Sequence, residues 1–294
     1  MASEVHLVVN GPIELTAAAM DRLDELERSW SRFIPESEIS RLNASPGRPV
    51  EVGADTILLL EKMVEGWQMS NGHFNPTILP ALIDEGYSTS IDDPDRRTIL
   101  PGSTTRTGRA DQILIDRPGG IAWLPAGTGI DPGGIGKGLA ADIVANELVV
   151  AGAEGVMVNI GGDLRVVGRP GHGEWTVAVE DPLQANTAML TFAINQGGVA
   201  TSSTLSRTWG SGNQERHHLI DPALGRSADT DLTAVTVIAP TAWQAEVEAT
   251  TTLLLGRVDG LARLVDRGLD GMLIGAGGQV AVTPGLEAHE PTPA

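Results

Sequence analysis

Apolar residues recur at helical spacing in four segments of the chain. In the first segment Leu23, Leu26 and Trp30 fall on one face of a helix. Glycine follows the last periodic residue of the third and fourth segments, as is common where a helix ends. The four predicted helices are residues 13–33, 54–69, 135–151 and 241–255.

Shorter segments rich in valine and isoleucine predict β-strands, most of them in the second half of the chain. Helices dominate the first part and strands the second, which predicts an α+β fold rather than regular βαβ alternation. Residues 84–110 are predicted to be a loop and residues 284–294 a frayed tail. The predicted strands are residues 4–9, 155–160, 164–167, 175–179, 188–194 and 233–238, with hairpins that pair 113–115 with 121–124 and 272–274 with 280–282.

Composition limits the classes of protein and of partner. The 294 residues suffice for one large domain or two closely packed lobes, and their 41% apolar content supports a buried core. A net charge of −18 disfavours a duplex nucleic-acid partner, because phosphate would be repelled over most of the surface. The absence of cysteine excludes disulfides, zinc–thiolate sites and thiol nucleophiles.

Two features of the sequence bear on location. No apolar run reaches the roughly 18 residues that a transmembrane helix needs, so no transmembrane segment is expected. The first residues, MASEVHLVVNG, lack the basic and apolar regions of a signal peptide. We therefore expect a cytoplasmic protein, with an N-terminally trimmed envelope protein as the alternative.

The sequence GTGIDPGGIGKG at 127–138 contains six glycines in twelve residues and runs into the third predicted helix. Glycine lets a backbone approach a ligand closely, and a helix N-terminus offers N–H groups and a positive dipole end. Lys137 adds a positive charge, so the stretch predicts a phosphate or pyrophosphate cradle. It is not a Walker loop, since residue 131 is Asp and residue 138 is Gly. A tight structural turn is the alternative.

Two stretches combine small residues with polar side chains. Asp163 ends NIGGD at 159–163, directly after a predicted strand, where two glycines allow close approach of a ligand. Thr201 and Ser202 lie in GGVATSS at 197–203, whose hydroxyl groups suit a phosphate or a pocket wall. Turn chemistry also explains the first stretch, so both interpretations stay open.

Two further pairs carry catalytic or metal-binding chemistry. His218 and Asp221 flank two apolar residues ahead of a turn, a spacing that fits either a catalytic or a structural role. Glu246 and Thr250 lie four residues apart on a predicted helix and share one face. Their oxygens suit a hard cation such as Mg²⁺, which fills its remaining positions with water and substrate phosphates. A solvated or capping helix face is the alternative.

Taken in order, eight stretches of the chain resemble the ApbE family of FAD:protein FMN transferases. Each stretch is weak alone, but the order and spacing of all eight are specific, and the resemblance covers residues 1–283. The stretches are Met1-Ala2-Ser3, SRFIPESEISRLN (31–43), GHFNPTILPALIDEGY (72–87), DPGGIGKGLAAD (131–142), NIGGDLRVVG (159–168), GVATSS (198–203), HLIDPALGR (218–226) and VTVIAPTAWQAEVEATTTLLLG (235–256).

The resemblance implies a fold and an activity. The expected fold is a single ApbE-like domain over residues 1–283, with two closely packed lobes, mostly antiparallel sheets flanked by helices, and an FAD cleft between the lobes. The family binds FAD with Mg²⁺ at the pyrophosphate. It transfers the FMN moiety through a phosphoester bond to a Thr or Ser of an acceptor protein and releases AMP. FAD and a flavin-acceptor protein are therefore the expected partners.

The resemblance also assigns roles to positions of this sequence. The implied metal ligands are Gly134, Glu246 and Thr250. The acceptor hydroxyl needs a base, and the candidate catalytic residues are His218 and Asp221, which the resemblance places in the same cleft. The implied FAD contacts are Met1, Phe33, His73, Phe74, Asn75, Asp131, Lys137, Asp163, Thr201, Ser202 and Ile220.

The chain departs from the family pattern at several of these positions. Glu246 stands where members usually carry Asp, Phe33 stands where Tyr is common, and Ser203 replaces the glycine of a Thr-Ser-Gly run. Two alternative functions stay open at this point. One is a Mg²⁺-dependent FAD pyrophosphatase that uses water as the acceptor, and the other is a non-catalytic FAD-binding protein.

Overall fold

The computed structural model describes residues 3–91, 93–105, 107–184, 187–210 and 215–287. The chain divides into two compact units. The first unit contains Leu23–Gly136 and Arg207–Ala228. The second contains Ser3–Arg22, Lys137–Ser206 and the chain from Asp229 on.

All four predicted helices are present. The ends of the first three differ from the prediction by at most three residues, whereas the fourth continues eleven residues further. Among the residues described, the helices are α1 (Glu14–Trp30), α2 (Glu38–Ala44), α3 (Ala54–Met69), α4 (Leu79–Asp84), α5 (Gly136–Val150), α6 (Ala242–Asp266) and α7 (Pro284–Glu287), with a 3₁₀ turn at Ala110–Gln112. The short helices α2, α4 and α7 were not predicted, because each has seven residues or fewer and shows too little periodicity.

The strands of the described chain are mostly those that alternation predicts. They are β1 (Val5–Asn10), β2 (Val50–Glu51), β3 (Leu114–Asp116), β4 (Ile121–Trp123), β5 (Gly155–Ile160), β6 (Asp163–Gly168), β7 (Trp175–Glu180), β8 (Ala188–Ile194), β9 (Gly197–Ser203), β10 (Thr208–Trp209), β11 (Arg216–His217), β12 (Ile220–Asp221), β13 (Arg226–Ser227), β14 (Leu232–Ala239), β15 (Asp270–Gly275) and β16 (Val280–Val282).

The second unit is built on a seven-stranded sheet in the order β1-β5-β6-β9-β14-β15-β16. Every neighbouring pair is antiparallel. The β7–β8 hairpin covers one face, where Trp175 and Phe192 pack in a cluster with Val199. Helix α6 covers the other face, where Ala245 packs against Ala200. Val199 and Ala200 are consecutive residues of β9, so their side chains point to opposite faces.

The first unit carries smaller sheets. Strands β2, β4 and β3 form a three-stranded antiparallel sheet, and β10–β11 and β12–β13 are short antiparallel hairpins. Ile220 of β12 is buried against Ala81 and Leu82 of α4. The two units together confirm an α+β fold with antiparallel sheets flanked by helices.

Two predicted boundaries differ from the structure. Gly256 does not end α6 but kinks it, with φ of 77° inside a helix that continues to Asp266. Residues 284–287 are not frayed: they form α7, and Leu286 is 3% exposed. Residues 288–294 of the predicted tail lie outside the described residues. Nowhere in the described part of the chain does a helix have the length and apolarity to cross a membrane.

Candidate functional site

The glycine-rich loop of the first unit is shaped by its own side chains. Oδ1 of Asp131 accepts a hydrogen bond from the N–H of Gly133 at 2.9 Å. The N–H groups of Ile135 and Gly136 both donate to the carbonyl of Pro132. A methyl group added at Gly134 would lie 3.1 Å from the Phe74 ring. The predicted metal ligand Gly134 and the predicted FAD contact Phe74 are therefore packed closely together.

Arg32 ties this loop to an aromatic cluster, and sequence reasoning missed it. Its guanidinium is buried, with Nε 3.5 Å from Oδ2 of Asp131. It also donates to Oγ1 of Thr98 at 2.7 Å and to the carbonyl of Tyr87 at 3.0 Å. The same guanidinium lies 4.1 Å from the centre of the Phe33 ring. Two predicted FAD contacts, Phe33 and Asp131, thus meet at one buried cation.

Burial makes the charged form of Arg32 less favourable than it is in water. Burial lowers the pKa of Arg32 from its ordinary value, and the Asp131 carboxylate opposes that shift. The aromatic cluster continues outward, since Tyr87 stands edge-on to Phe33 and stacks on Trp209 with ring centres 5.4 Å apart. Arg32 lies in the family-like stretch at 31–43, but its neighbours Ser31 and Phe33 give no sign that its side chain is buried.

Several predicted residues of the first unit already have structural tasks. Oδ1 of Asn75 accepts from both the N–H and the hydroxyl of Thr77. Oδ1 of Asp221 accepts from the N–H groups of Ala223 at 2.8 Å and Leu224 at 3.2 Å, which builds the turn between β12 and β13.

Three other predicted residues of this unit differ in exposure. His73 is exposed, His218 is half-buried and Ile220 belongs to the core. The neighbouring His217, which was not predicted, is held through Nε2, 3.1 Å from the carbonyl of Ala228, and burial lowers its pKa. Met1 lies outside the described residues.

The second unit brings predicted residues together around one positive charge. Nζ of Lys137 donates to Oδ2 of Asp163 and lies 3.3 Å from Oε1 of Glu246. Oδ1 of Asp163 accepts from the N–H of Thr201 at 3.2 Å. Oε2 of Glu246 accepts from the N–H of Gly138 at 2.9 Å. The three charged side chains thus come from α5, β6 and α6, and backbone N–H groups of β9 and α5 complete the cluster.

The hydroxyl groups beside this cluster are paired. Oγ of Ser202 and Oγ1 of Thr250 lie 3.0 Å apart, and Oγ1 of Thr201 lies 2.9 Å from Oγ1 of Thr236. The last of these partners was not predicted. Its position in β14, directly opposite Thr201 in β9, is visible only once the strands are paired.

Glu246 is the electrostatic centre of the cluster. Its side chain is 4% exposed, and burial raises its pKa to about 8, against the opposing effects of Lys137 and the Gly138 N–H. Oε1 is buried and makes no hydrogen bond within the described chain, although it lies close to the Lys137 ammonium group. A buried carboxylate oxygen of this kind is stabilised by a further positive charge.

The residues of this cluster fit a hard cation. Two carboxylates already face one positive group, one of their oxygens accepts no hydrogen bond, and Thr250 lies one helical turn from Glu246. Among the described residues, no group of three or more His, Cys, Asp or Glu side chains is placed to hold a metal.

Comparisons with known proteins agree on one family. The family model described as "ApbE family" matches residues 1–273. A curated Treponema pallidum protein named FAD:protein FMN transferase is 26% identical, over 97% of this chain and 82% of its own. A protein of that name from Salmonella typhimurium is 33% identical, over 83% of this chain and 71% of its own.

A solved structure supports the same conclusion at the level of fold. The crystal structure of an ApbE protein from Thermotoga maritima superposes with a TM-score of 0.86 at 22% sequence identity. The match covers 99% of this chain and 96% of the other. Because the family model spans most of the sequence and the fold agrees throughout, this chain belongs to the ApbE family.

Proposed function

We propose that this protein is a Mg²⁺-dependent FAD:protein FMN transferase, which moves the FMN moiety of FAD onto a Thr or Ser hydroxyl of an acceptor protein and releases AMP. Family membership and the names of the curated relatives support a flavin-transferring enzyme. The observation that carries the finer proposal is the buried cluster of Lys137, Asp163 and Glu246 at the start of α5.

The reaction is a phosphoryl transfer. The acceptor hydroxyl oxygen forms a bond to the FMN phosphorus, and the bond from that phosphorus to the bridging oxygen breaks. AMP leaves with the bridging oxygen, and the hydroxyl proton passes to a base. Negative charge on the pyrophosphate opposes the attack, so positive groups and N–H donors lower the barrier.

Residues of the second unit suit the phosphate end of FAD. The N-terminus of α5 offers a positive dipole end, and Lys137 adds a full charge. Glu246 and Thr250 are the proposed protein ligands of Mg²⁺, which when bound would neutralise pyrophosphate charge and stabilise the leaving phosphate. Gly134, the third ligand that the family resemblance implies, belongs to the first unit and stays a prediction.

Residues of the first unit suit a planar ring. Phe33, Phe74 and the Tyr87–Trp209 stack supply apolar faces, and Arg32 and Asp131 supply polar groups beside Phe33. We propose these as the flavin contacts. His218 is the better of the two candidate bases, because the turn between β12 and β13 already uses Oδ1 of Asp221.

The deciding experiment measures AMP, free FMN and covalent flavin after incubation with FAD, with and without Mg²⁺ and with and without a flavin-acceptor domain. The proposal expects AMP release that requires Mg²⁺ and FMN attached to the acceptor Thr or Ser. AMP with free FMN in the absence of acceptor would identify an FAD pyrophosphatase instead. Bound FAD without AMP under any condition would overturn the catalytic proposal. Thr250→Ala should weaken the response to Mg²⁺.

A further inference from the structure

Helices α5 and α6 cap each other. Near the start of α6, the N–H groups of Ala242 and Trp243 donate to Oδ1 and Oδ2 of Asp142, each at 3.0 Å. Near the start of α5, the N–H of Gly138 donates to Oε2 of Glu246 at 2.9 Å. Each helix therefore presents an acidic side chain to the N-terminal turn of the other.

The cap from Asp142 replaces one that α6 lacks locally. Thr241 is the N-cap residue of α6, but its side chain makes no capping bond and its hydroxyl donates to Gln244 at 2.9 Å. The first N–H groups of a helix have no intrahelical acceptor, and a carboxylate satisfies both their hydrogen bonds and the helix dipole. Asp142 performs both tasks from another helix.

The backbones of α5 and α6 are in direct contact where the two caps lie. A methyl group added at Gly138 would lie 2.5 Å from the carbonyl carbon of Ala242, so the two backbones touch. Asp142 is itself buried and lies 3.3 Å from Nε of Arg165, whose guanidinium also donates to the carbonyl of Pro240. The Asp142 carboxylate is thus fixed in direction by Arg165 and the two N–H groups.

We propose that Asp142 is a positioning residue that fixes the register of α6 against α5. By doing so it holds the Glu246 carboxylate in place, with Oε2 on the N–H of Gly138 and Oε1 directed towards Lys137. Asp142 acts one helical turn before Glu246 along α6 and one turn beyond Gly138 along α5. Its consequence for Mg²⁺ rests on the proposed function, whereas its consequence for helix register does not.

The first test measures the packing of α6 against α5 in the absence of metal and FAD. Hydrogen exchange of the Gly138 amide is measured by NMR in the wild type, in Asp142→Asn and in Glu248→Gln. Glu248 is a matched control, because it is a buried carboxylate of α6 that pairs with Arg263 and Arg267 instead of α5. Asparagine keeps an acceptor for only one of the two N–H groups and turns an amide NH2 towards the other. We therefore expect Asp142→Asn to raise Gly138 exchange about tenfold and Glu248→Gln to leave it unchanged.

Equal exchange of Gly138 in the wild type and in Asp142→Asn would overturn the proposal. So would an equal increase in both variants, since that would indicate general loosening of α6. If Asp142→Asn does not fold, Glu246→Ala tests the same pairing from the other side. It should speed exchange of the Ala242 and Trp243 amides, and unchanged exchange there would refute the pairing.

The second test reads the consequence for the cation. The Mg²⁺ concentration that half-saturates AMP release should rise about tenfold in Asp142→Asn and stay unchanged in Glu248→Gln. A normal half-saturating concentration in Asp142→Asn would refute the link to the metal. Absence of Mg²⁺-dependent AMP release from the wild type would instead refute the proposed function, and the exchange result would still decide the role of Asp142 in helix register.

Discussion

The two units hold their predicted site residues in different ways. In the first unit, Asp131 and Asp221 each give an oxygen to backbone N–H groups within three residues of themselves. In the second unit, Lys137, Asp163 and Glu246 are brought together from distant parts of the chain as neighbouring ionisable groups, and burial raises the pKa of Glu246 to about 8.

The carboxylates of the first unit fix the path of a loop, whereas those of the second unit are available to interact with a cation. A carboxylate that accepts backbone N–H bonds in a turn is stabilised as it stands and fixes the path of the loop. A buried carboxylate oxygen with no hydrogen bond is sensitive to any cation that approaches it. The comparison supports our proposal that phosphate chemistry belongs to the charged cluster of the second unit and that the first unit contacts the planar ring.

The largest effect is expected from Glu246→Gln. Glutamine keeps an oxygen for the Gly138 N–H, so the fold should survive, but it removes the negative charge on the side that faces Lys137. We expect Mg²⁺-dependent AMP release to fall by about 100-fold or more, as when a group that stabilises a transition state is lost. Rates measured across a Mg²⁺ series, with Glu248→Gln as control, check this. If Glu246→Gln kept the wild-type rate and Mg²⁺ dependence, Glu246 would not be a metal ligand.

A second large effect is expected from Lys137→Met, and it is one of stability. Loss of one partner from a buried ion pair costs about 3–5 kcal/mol, because the remaining charges are left without compensation. The melting temperature should fall, and added Mg²⁺ should raise it more in the variant than in the wild type, since a cation would replace the ammonium. The exposed pair of Lys62 and Glu65 supplies the control variant Lys62→Met. Equal response to Mg²⁺ in Lys137→Met and wild type would contradict a cation site here.

Local patterns were sufficient for much of the fold and for the positions of the motifs. The four long helices and both predicted hairpins follow from side-chain periodicity, which is a property of neighbouring residues. The sequence of residues 197–203 shows only small and hydroxyl-bearing residues and does not predict a strand, yet these residues form β9 in the middle of the large sheet. Small residues fit there because α6 approaches closely: a methyl group added at Gly198 would lie 2.2 Å from the N atom of Ala242.

The candidate site is even harder to predict from local sequence patterns than the fold. The family resemblance points to Lys137, Asp163 and Glu246 as site residues, but their spacing in the sequence does not predict that they form one cluster. Arg32 was missed for the same reason, because its partners Thr98 and Asp131 lie far along the chain. Contacts between distant segments arise only from tertiary packing, so composition and periodicity do not contain them.

A smaller effect is expected from Arg32→Met in the first unit. The substitution removes the cation between Phe33 and Asp131, and so loosens the proposed flavin contacts without touching the phosphate cluster. We expect the KM for FAD to rise about tenfold with little change in kcat, the sign of lost uniform binding. Arg117→Met, which removes an exposed pair with Glu61, is the control. A fall in kcat at unchanged KM would place Arg32 with the reacting groups instead.

The smallest effect is expected from Asp221→Asn. Asparagine retains the Oδ1 that accepts from Ala223 and Leu224, so the turn should persist. If the turn is the task of Asp221, the AMP release rate should stay within about threefold of the wild type, whereas loss of a general base costs about 100-fold or more. Asp221→Ala, which removes the acceptor, should lower the melting temperature while Asp221→Asn does not. A large loss of rate in Asp221→Asn at unchanged stability would make Asp221 the base and return His218 to a supporting role.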